Sequence, residues 1–348
     1  MDIVLFCENT YAIGILYPLE LEARKRNYRV KWYLHQSKIY DFKYEEEVDW
    51  TYSIQEIYDF NPDAIFVPGN IVPYYLPGIK VQIFHGYAAE KQGHFKIRGY
   101  FDLYFTQGPY FTKRFEALKT SRSDFEIMET GWTKQDWIKG HLSDFEEKKK
   151  VLLEKYNKKQ IVLYAPTFSP RFTSLGSMED ILVQFIEKND VLLLLKFHAL
   201  TAPEYVKRYK ALAMKHASMI WIDDPDVAQY LLLSDLMISD TSSVIYEFLL
   251  LDKPVITLNT NTKNPKWINI DKPEQLDENF QKAFDDEETK ANRQWFRDYY
   301  DPYFDGNVCA RMFDNVEKYK QEHGIPLSKH MNLWRKYTCI KTFGKIKR

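Results

Sequence analysis

Two histidines stand directly after apolar runs. His85 follows residues 81–84, and His198 follows residues 191–197. An imidazole titrates near neutral pH, so it can take a proton from a hydroxyl or stabilise the charge of a phosphate. A lone strand-end histidine has a purely structural reading. Two of them, each beside a polar turn, keep a catalytic reading open. Lys196 lies two residues before His198 and shares its strand face. The plain alternative for Lys196 is a lysine whose stem packs while its charge reaches water. A third group is Asp240-Thr241-Ser242-Ser243, set between an apolar run at 236–239 and an apolar helix expected at 244–251. Small hydroxyl and carboxylate side chains cap helices, and a helix start after a parallel strand presents amides to an anion. Glu247, one turn further on, is within reach of a ligand held there. The plain alternative is a well-capped helix.

Other chemistries find little support. No H-E-x-x-H or H-x-H spacing appears, so no metal site is expected. The carboxylates Asp223, Asp224 and Asp226 read as a helix cap. No G-x-S-x-G follows a strand. Cys7, Cys309 and Cys339 are scattered, which suits a reducing cytoplasm and offers no disulfide framework.

The elements that must position these groups alternate between strand and helix. Strands are expected at 3–7, 30–34, 64–67, 81–84, 103–105 and 125–128, with helices at 11–26 and 54–60 and a helix starting at Pro109. This is the pattern of a doubly wound parallel sheet, whose ligands bind at the carboxyl ends of the strands. The first strand lacks the G-x-G-x-x-G of a dinucleotide site. The charged stretch 144–159 reads as a surface helix or linker. The alternation then resumes with strands at 161–164, 191–197, 219–222, 236–239 and 254–258, and helices at 226–233 and 308–319. Two domains follow, 1–150 and 151–325, with a basic tail at 326–348. Two α/β domains facing each other would direct both histidines at one cleft.

The chain has 348 residues, 45% of them apolar, enough for two cores. A formal net charge of −1 argues against nucleic acid as a partner. The first residues lack the features of a signal peptide, and no apolar run approaches the roughly 20 residues of a membrane span. A cytoplasmic protein is the expectation, with a peripheral place on the membrane's inner face.

Several segments together resemble the CDP-glycerol glycerophosphotransferase family of teichoic acid and related capsule synthesis. They are Phe84-His85-Gly86, Gly131-Trp132-Thr133-Lys134-Gln135-Asp136, Tyr164-Ala165-Pro166-Thr167-Phe168, Lys196-Phe197-His198, Ser239-Asp240-Thr241-Ser242-Ser243 and Asp305-Gly306. They follow the family's order and span roughly residues 81–316. The resemblance implies a GT-B architecture of two Rossmann-like domains. It implies transfer of a polyol phosphate from a CDP-linked donor to a hydroxyl of a glycan or lipid-linked acceptor, with release of CMP and no cofactor. His85 would be the base on the acceptor side, near Gly86 and Lys91. His198 and Lys196 would serve the donor phosphates. Ser242 and Ser243, with Asp240 and Thr241, would hold phosphate at the helix start. Glu247 would take the carboxylate position that binds the ribose, and Thr167 and Arg171 would lie near the diphosphate.

The chain departs from the family's pattern around the donor site. Ala199 stands where Pro is usual, Thr241 where an aromatic residue is common, Thr133 for Pro and Glu247 for Asp. These changes bear on which group is transferred, and lipopolysaccharide is a further setting for a compact enzyme of this kind. The alternatives are a GT-B glycosyltransferase using a nucleotide sugar, a sugar-nucleotide 2-epimerase, and a non-catalytic scaffold. The tail carries Arg335, Lys336, Lys341, Lys345, Lys347 and Arg348 without an acidic residue. Trp334, Tyr337, Ile340, Phe343 and Ile346 recur every three residues beside them, as in an interfacial anchor for an anionic membrane. Its alternative is a tail that is disordered or packs on its own domain.

Overall fold

The computed structural model describes residues 1–87, 94–121, 123–224, 226–326, 329 and 331–347. Residues 1–139 with 300–348 form one unit, and residues 140–299 form the other. Among the described residues every strand pairing is parallel. The strands accordingly read as continuous apolar runs, covered on both faces.

In the first unit the strands are β1 (Asp2–Cys7), β2 (Arg29–Leu34), β3 (Trp50–Thr51), β4 (Ala64–Val67), β5 (Ile79–Gln82), β6 (Leu103–Thr106) and β7 (Glu126–Glu129), in sheet order β3-β2-β1-β4-β5-β6-β7. Helices α1 (Ile13–Lys25), α2 (Ile54–Phe60) and α3 (Pro109–Glu116) connect them. The order reverses between β1 and β4, which makes their carboxyl ends a switch point for ligands. Helix α4 (Lys134–Tyr156) carries the chain onward, so the expected boundary at 150 falls inside a helix.

The second unit has β8 (Gln160–Tyr164), α5 (Glu179–Lys188), β9 (Val191–Lys196), α6 (Pro203–Lys215), β10 (Met219–Ile222), α7 (Ala228–Leu233), β11 (Leu236–Ser239), α8 (Val244–Leu250), β12 (Val255–Leu258), β13 (Ile268–Ile270), α9 (Leu276–Asp285) and α10 (Glu287–Tyr299). Its sheet runs β10-β9-β8-β11-β12-β13, with the reversal between β8 and β11. Tyr164, Leu193, Leu195, Leu236 and Ile238 of three adjacent strands lie in its core.

Residues 300–325, expected in the C-terminal domain, return to the first unit. Helix α11 (Val308–His323) buries Val308, Met312, Phe313 and Val316, and the Phe313 ring meets Phe66 at 5.3 Å. On its rim Arg26, directly after α1, pairs with Asp314 at 2.7 Å. The tail is likewise part of this unit. Helix α12 (Leu333–Phe343) buries Cys339 and Phe343, and the Phe343 ring packs on Phe6 at 5.5 Å. Burying a phenylalanine is worth about 1.5–3 kcal/mol, which fixes the helix on its own domain. The expected stripe therefore divides. Phe343 faces the core, while Trp334 and Tyr337 are exposed, as is the neighbouring Leu333 outside the stripe.

Candidate functional site

The first unit's site begins with a departure from a straight strand. β5 stops at Gln82, short of the expected residue 84, because Phe84 turns into the left-handed region at φ +57°. A bulky side chain holds that conformation only where packing enforces it. Here the Phe84 ring is buried, stacked on His94 at 5.2 Å and beside Phe115 at 4.9 Å. The reversal leaves His85 exposed beyond the strand end. Its Nδ1 lies 3.3 Å from the carbonyl oxygen of Pro68, in the loop after β4. A carbonyl only accepts, so Nδ1 carries the hydrogen and Nε2 of the neutral ring keeps its lone pair. The Tyr11 ring, beyond β1, lies 5.6 Å from the imidazole.

The segment 131–136 holds this loop from behind. Asp301 accepts hydrogen bonds from the Tyr87 hydroxyl at 2.5 Å and the Trp132 amide at 3.0 Å. Gln135 Nε2 donates to the same Tyr87 hydroxyl at 3.0 Å. Burial pushes the Asp301 carboxyl up to about 7 against these donors. Asp136 accepts from the Val308 and Cys309 amides at 2.9 and 2.8 Å and so caps α11. Gly131 has φ +91°, and a Cβ there would meet Tyr303 at 2.7 Å. The glycine, tryptophan, glutamine and aspartate of this motif thus tie the loop after His85 to the segment entering α11. Gly86 is part of the same support, its carbonyl accepting from Gln107 Nε2 at 3.0 Å. Lys91 lies outside the described residues.

Glu8, read from sequence only as part of a polar turn, is a buried carboxyl at the carboxyl end of β1. Burial pushes it up to about 7, with the Lys38 charge opposing. It fills the space beside Gly69, where any Cβ would collide with its carboxyl group. Gly69 follows Pro68, the partner of His85. An acidic residue ending the first strand, with Pro-Gly ending the fourth, was the available sequence signal, since these two strands flank the switch point.

In the second unit the carboxyl ends of β9, β8 and β11 bring together most of the expected donor-site residues. Asp240 is buried, and its carboxylate accepts from the Thr167, Ser174 and Thr241 amides at 2.8, 2.8 and 2.5 Å and from the Ser174 hydroxyl at 2.9 Å. Burial raises its pKa, and these four donors pull it back. Ser239 donates its hydroxyl to the Ala165 carbonyl at 2.7 Å. Asp240 therefore shapes the loop carrying Thr167 and Arg171 across the switch point, and its oxygens are engaged within the protein. Thr241 is engaged too, its hydroxyl accepting the Asn261 amide at 3.1 Å. Ser242 is half-buried and Ser243 exposed. Ser243 precedes α8 in helical conformation and makes no side-chain cap. The expected hydroxyl cap is thus absent there, because a helical N-cap residue does not aim its side chain at the first amides. Glu247 is half-buried on α8.

His198 follows β9, exposed, with its ring 4.4 Å from that of Phe168. The Leu200 amide donates to its Nδ1 at 3.1 Å. Nδ1 is therefore an acceptor, and the neutral ring carries its hydrogen on Nε2. The two histidines are held in opposite tautomers. Lys196 is half-buried and donates to the Phe197 carbonyl at 3.1 Å, and burial lowers its pKa. Arg171 is exposed, its guanidinium 5.3 Å from the Phe172 ring centre. Asp224 and Asp226 accept amides of the turn entering α7, as expected of a cap. Among the described residues no group of three or more His, Cys, Asp or Glu side chains is placed to hold a metal ion.

Two doubly wound parallel sheets, together with their likeness to solved structures, put the chain in the GT-B class of fold. The solved structure of the wall teichoic acid polymerase TagF matches 92% of this chain and 89% of its own, with a TM-score of 0.68 at 16% identity. A UDP-GlcNAc 2-epimerase from Neisseria meningitidis matches 91% and 100%, with a TM-score of 0.60 at 15% identity. Within that class the chain belongs to the CDP-glycerol:poly(glycerophosphate) glycerophosphotransferase family, whose sequence profile matches residues 83–264. A teichoic acid glycerol-phosphate primase from Bacillus spizizenii is 38% identical over 100 residues, 28% of this chain and 25% of the primase. The match thus spans a quarter of that relative's length.

Proposed function

We propose that this chain transfers glycerol phosphate, or a related polyol phosphate, from a CDP-linked donor to a hydroxyl of a cell-surface glycan or lipid-linked acceptor. The observation that carries the reading is the family match over residues 83–264, which includes both histidines. Their tautomers support distinct roles. His85 Nε2, with its lone pair, takes the proton of the acceptor hydroxyl as that oxygen attacks the phosphorus bearing the polyol. The bond from that phosphorus to the CMP oxygen breaks, and CMP leaves. His198, with its hydrogen on Nε2, donates to a phosphate oxygen. Ser242, Ser243, Thr167 and Arg171 supply further donors to the diphosphate, and Glu247 holds the ribose. The chemistry needs positioning and charge stabilisation more than covalent catalysis.

The acceptor reading extends to the membrane. Helix α12 exposes Leu333, Trp334 and Tyr337 beside Arg335, Lys336 and Lys341, a composition suited to an anionic bilayer surface. Among the described residues no helix is long and apolar enough to cross a membrane.

Nucleotide release tests the reading. Purified protein given CDP-glycerol, CDP-ribitol and UDP-N-acetylglucosamine in parallel, with a soluble glycerol-phosphate oligomer as acceptor, is expected to release CMP from a CDP-polyol. Turnover of the UDP-sugar alone would overturn it.

A further inference from the structure

Glu8 is 7% exposed, yet its titration reflects only burial and the Lys38 charge, with no hydrogen bond contributing. Its oxygens are not among the enclosed atoms that lack a partner, so the mostly buried carboxyl keeps an open side that a ligand hydroxyl can reach. Its place favours a ligand. It stands at the carboxyl end of β1, and its carboxyl group presses on Gly69 after β4, so it sits at the point where the strand order of the first sheet reverses. Gly69 gives up any side chain to make that space. The residue before it, Pro68, fixes His85 through its carbonyl, and Tyr11, close enough to feel the Glu8 charge, lies 5.6 Å from the His85 ring. Glu8, Tyr11 and His85 therefore surround one patch at the ends of β1, β4 and β5.

We propose that Glu8 is an acceptor-binding residue, whose carboxyl group hydrogen-bonds a second hydroxyl of a polyol acceptor while His85 addresses the hydroxyl that reacts. The inference rests on the transferase reading for the role of His85. The ligand class follows from the group itself. A carboxyl accepts hydroxyl hydrogens in either protonation state, and its ionised form repels a phosphate, so the hydroxyl end of the acceptor faces it. No bond to Glu8 forms or breaks, and its task is to bind and orient.

The test compares wild type, Glu8→Gln and Glu8→Ala with a soluble di(glycerol phosphate) probe. Binding of the probe is followed by saturation-transfer NMR, and CMP release from CDP-glycerol by steady-state kinetics. Loss of one hydrogen bond to a hydroxyl is expected to raise the probe's dissociation constant and KM about 3- to 10-fold in Glu8→Ala. The donor KM stays at the wild-type value, and Glu8→Gln, which keeps a hydrogen-bonding carbonyl, recovers most of the loss. Thermal melts establish that each variant is folded. Probe binding by folded Glu8→Ala equal to wild type overturns the proposal, as does a matching rise in donor KM. The binding measurement decides this even if wild type releases no CMP, a result that overturns the transferase reading by itself.

Discussion

His85 and Pro68 are joined by a hydrogen bond of 3.3 Å from imidazole Nδ1 to the proline carbonyl. The bond runs between the ends of adjacent strands β5 and β4, so the sheet itself sets which nitrogen of His85 is basic. Replacing His85 by glutamine keeps a polar side chain of similar reach but removes the basic nitrogen. We expect His85→Gln to lower kcat about 10²- to 10⁴-fold while CDP-glycerol binding by calorimetry changes little. A variant turning over at the wild-type rate would remove His85 from the chemistry.

The exposed positions of His85 and His198 beyond their strands were legible in the sequence, because each follows an apolar run bounded by a polar turn. Strands Ala64–Val67, Met219–Ile222 and Leu236–Ser239 were legible at their observed bounds as apolar runs, and helix Ile54–Phe60 from the Asn61-Pro62-Asp63 stop that ends it. The tautomers were not, since Pro68 and Leu200 set them through backbone groups. Phe84 was read as strand because its type favours strand, whereas tertiary packing drives it to positive φ. The edge strands Trp50–Thr51 and Ile268–Ile270 are too short to show a period. Residues 300–325 kept their helix but changed domain, because local pattern does not say which sheet an apolar face will cover.

Asp240 and the serines beside it should separate structure from binding. Removing the Asp240 carboxylate leaves the amides of Thr167, Ser174 and Thr241 without their acceptor. Each buried unsatisfied donor costs about 1–3 kcal/mol, so Asp240→Ala should lower stability by roughly 3 kcal/mol or more in urea unfolding. The double change Ser242→Ala and Ser243→Ala should leave the melt close to wild type and weaken CDP-glycerol binding instead. If the double variant binds donor as wild type does, the phosphates are held elsewhere.

Glu8 makes stability depend on pH in a definite direction. Its pKa rises from 4.5 in a free chain to about 7 in the fold, through burial. The folded state therefore holds the proton more tightly. The stability this provides is fully present below pH 4.5 and is lost as pH rises through 7. The shift corresponds to about 3 kcal/mol. Glu8→Gln, neutral at every pH, should match wild type near pH 4.5 and exceed it above pH 7 by up to that amount. Asp301 shifts in the same sense but is common to both proteins, so their difference isolates Glu8. Parallel stability curves across this range would show that the Glu8 carboxyl is solvated.

Helix α12 offers a surface test that leaves the fold alone. Truncating the tail would uncover Phe6 and Tyr33 by removing Phe343, so a loss of vesicle binding in a truncated chain would report unfolding as readily as a lost anchor. Substituting the exposed face avoids this, because Trp334 and Tyr337 are 75% and 58% exposed while Cys339 and Phe343 carry the packing. We expect Trp334→Ser with Tyr337→Ser to melt within about 0.5 kcal/mol of wild type, as surface changes do. The same variant should bind vesicles of anionic phospholipid several-fold more weakly, as measured by sedimentation at low salt. Changing Lys336 and Lys341 to glutamine should weaken binding further and flatten its salt dependence, since each basic residue near an anionic surface contributes about 1 kcal/mol. Vesicle binding that survives all four substitutions would place any membrane contact on another face of the protein.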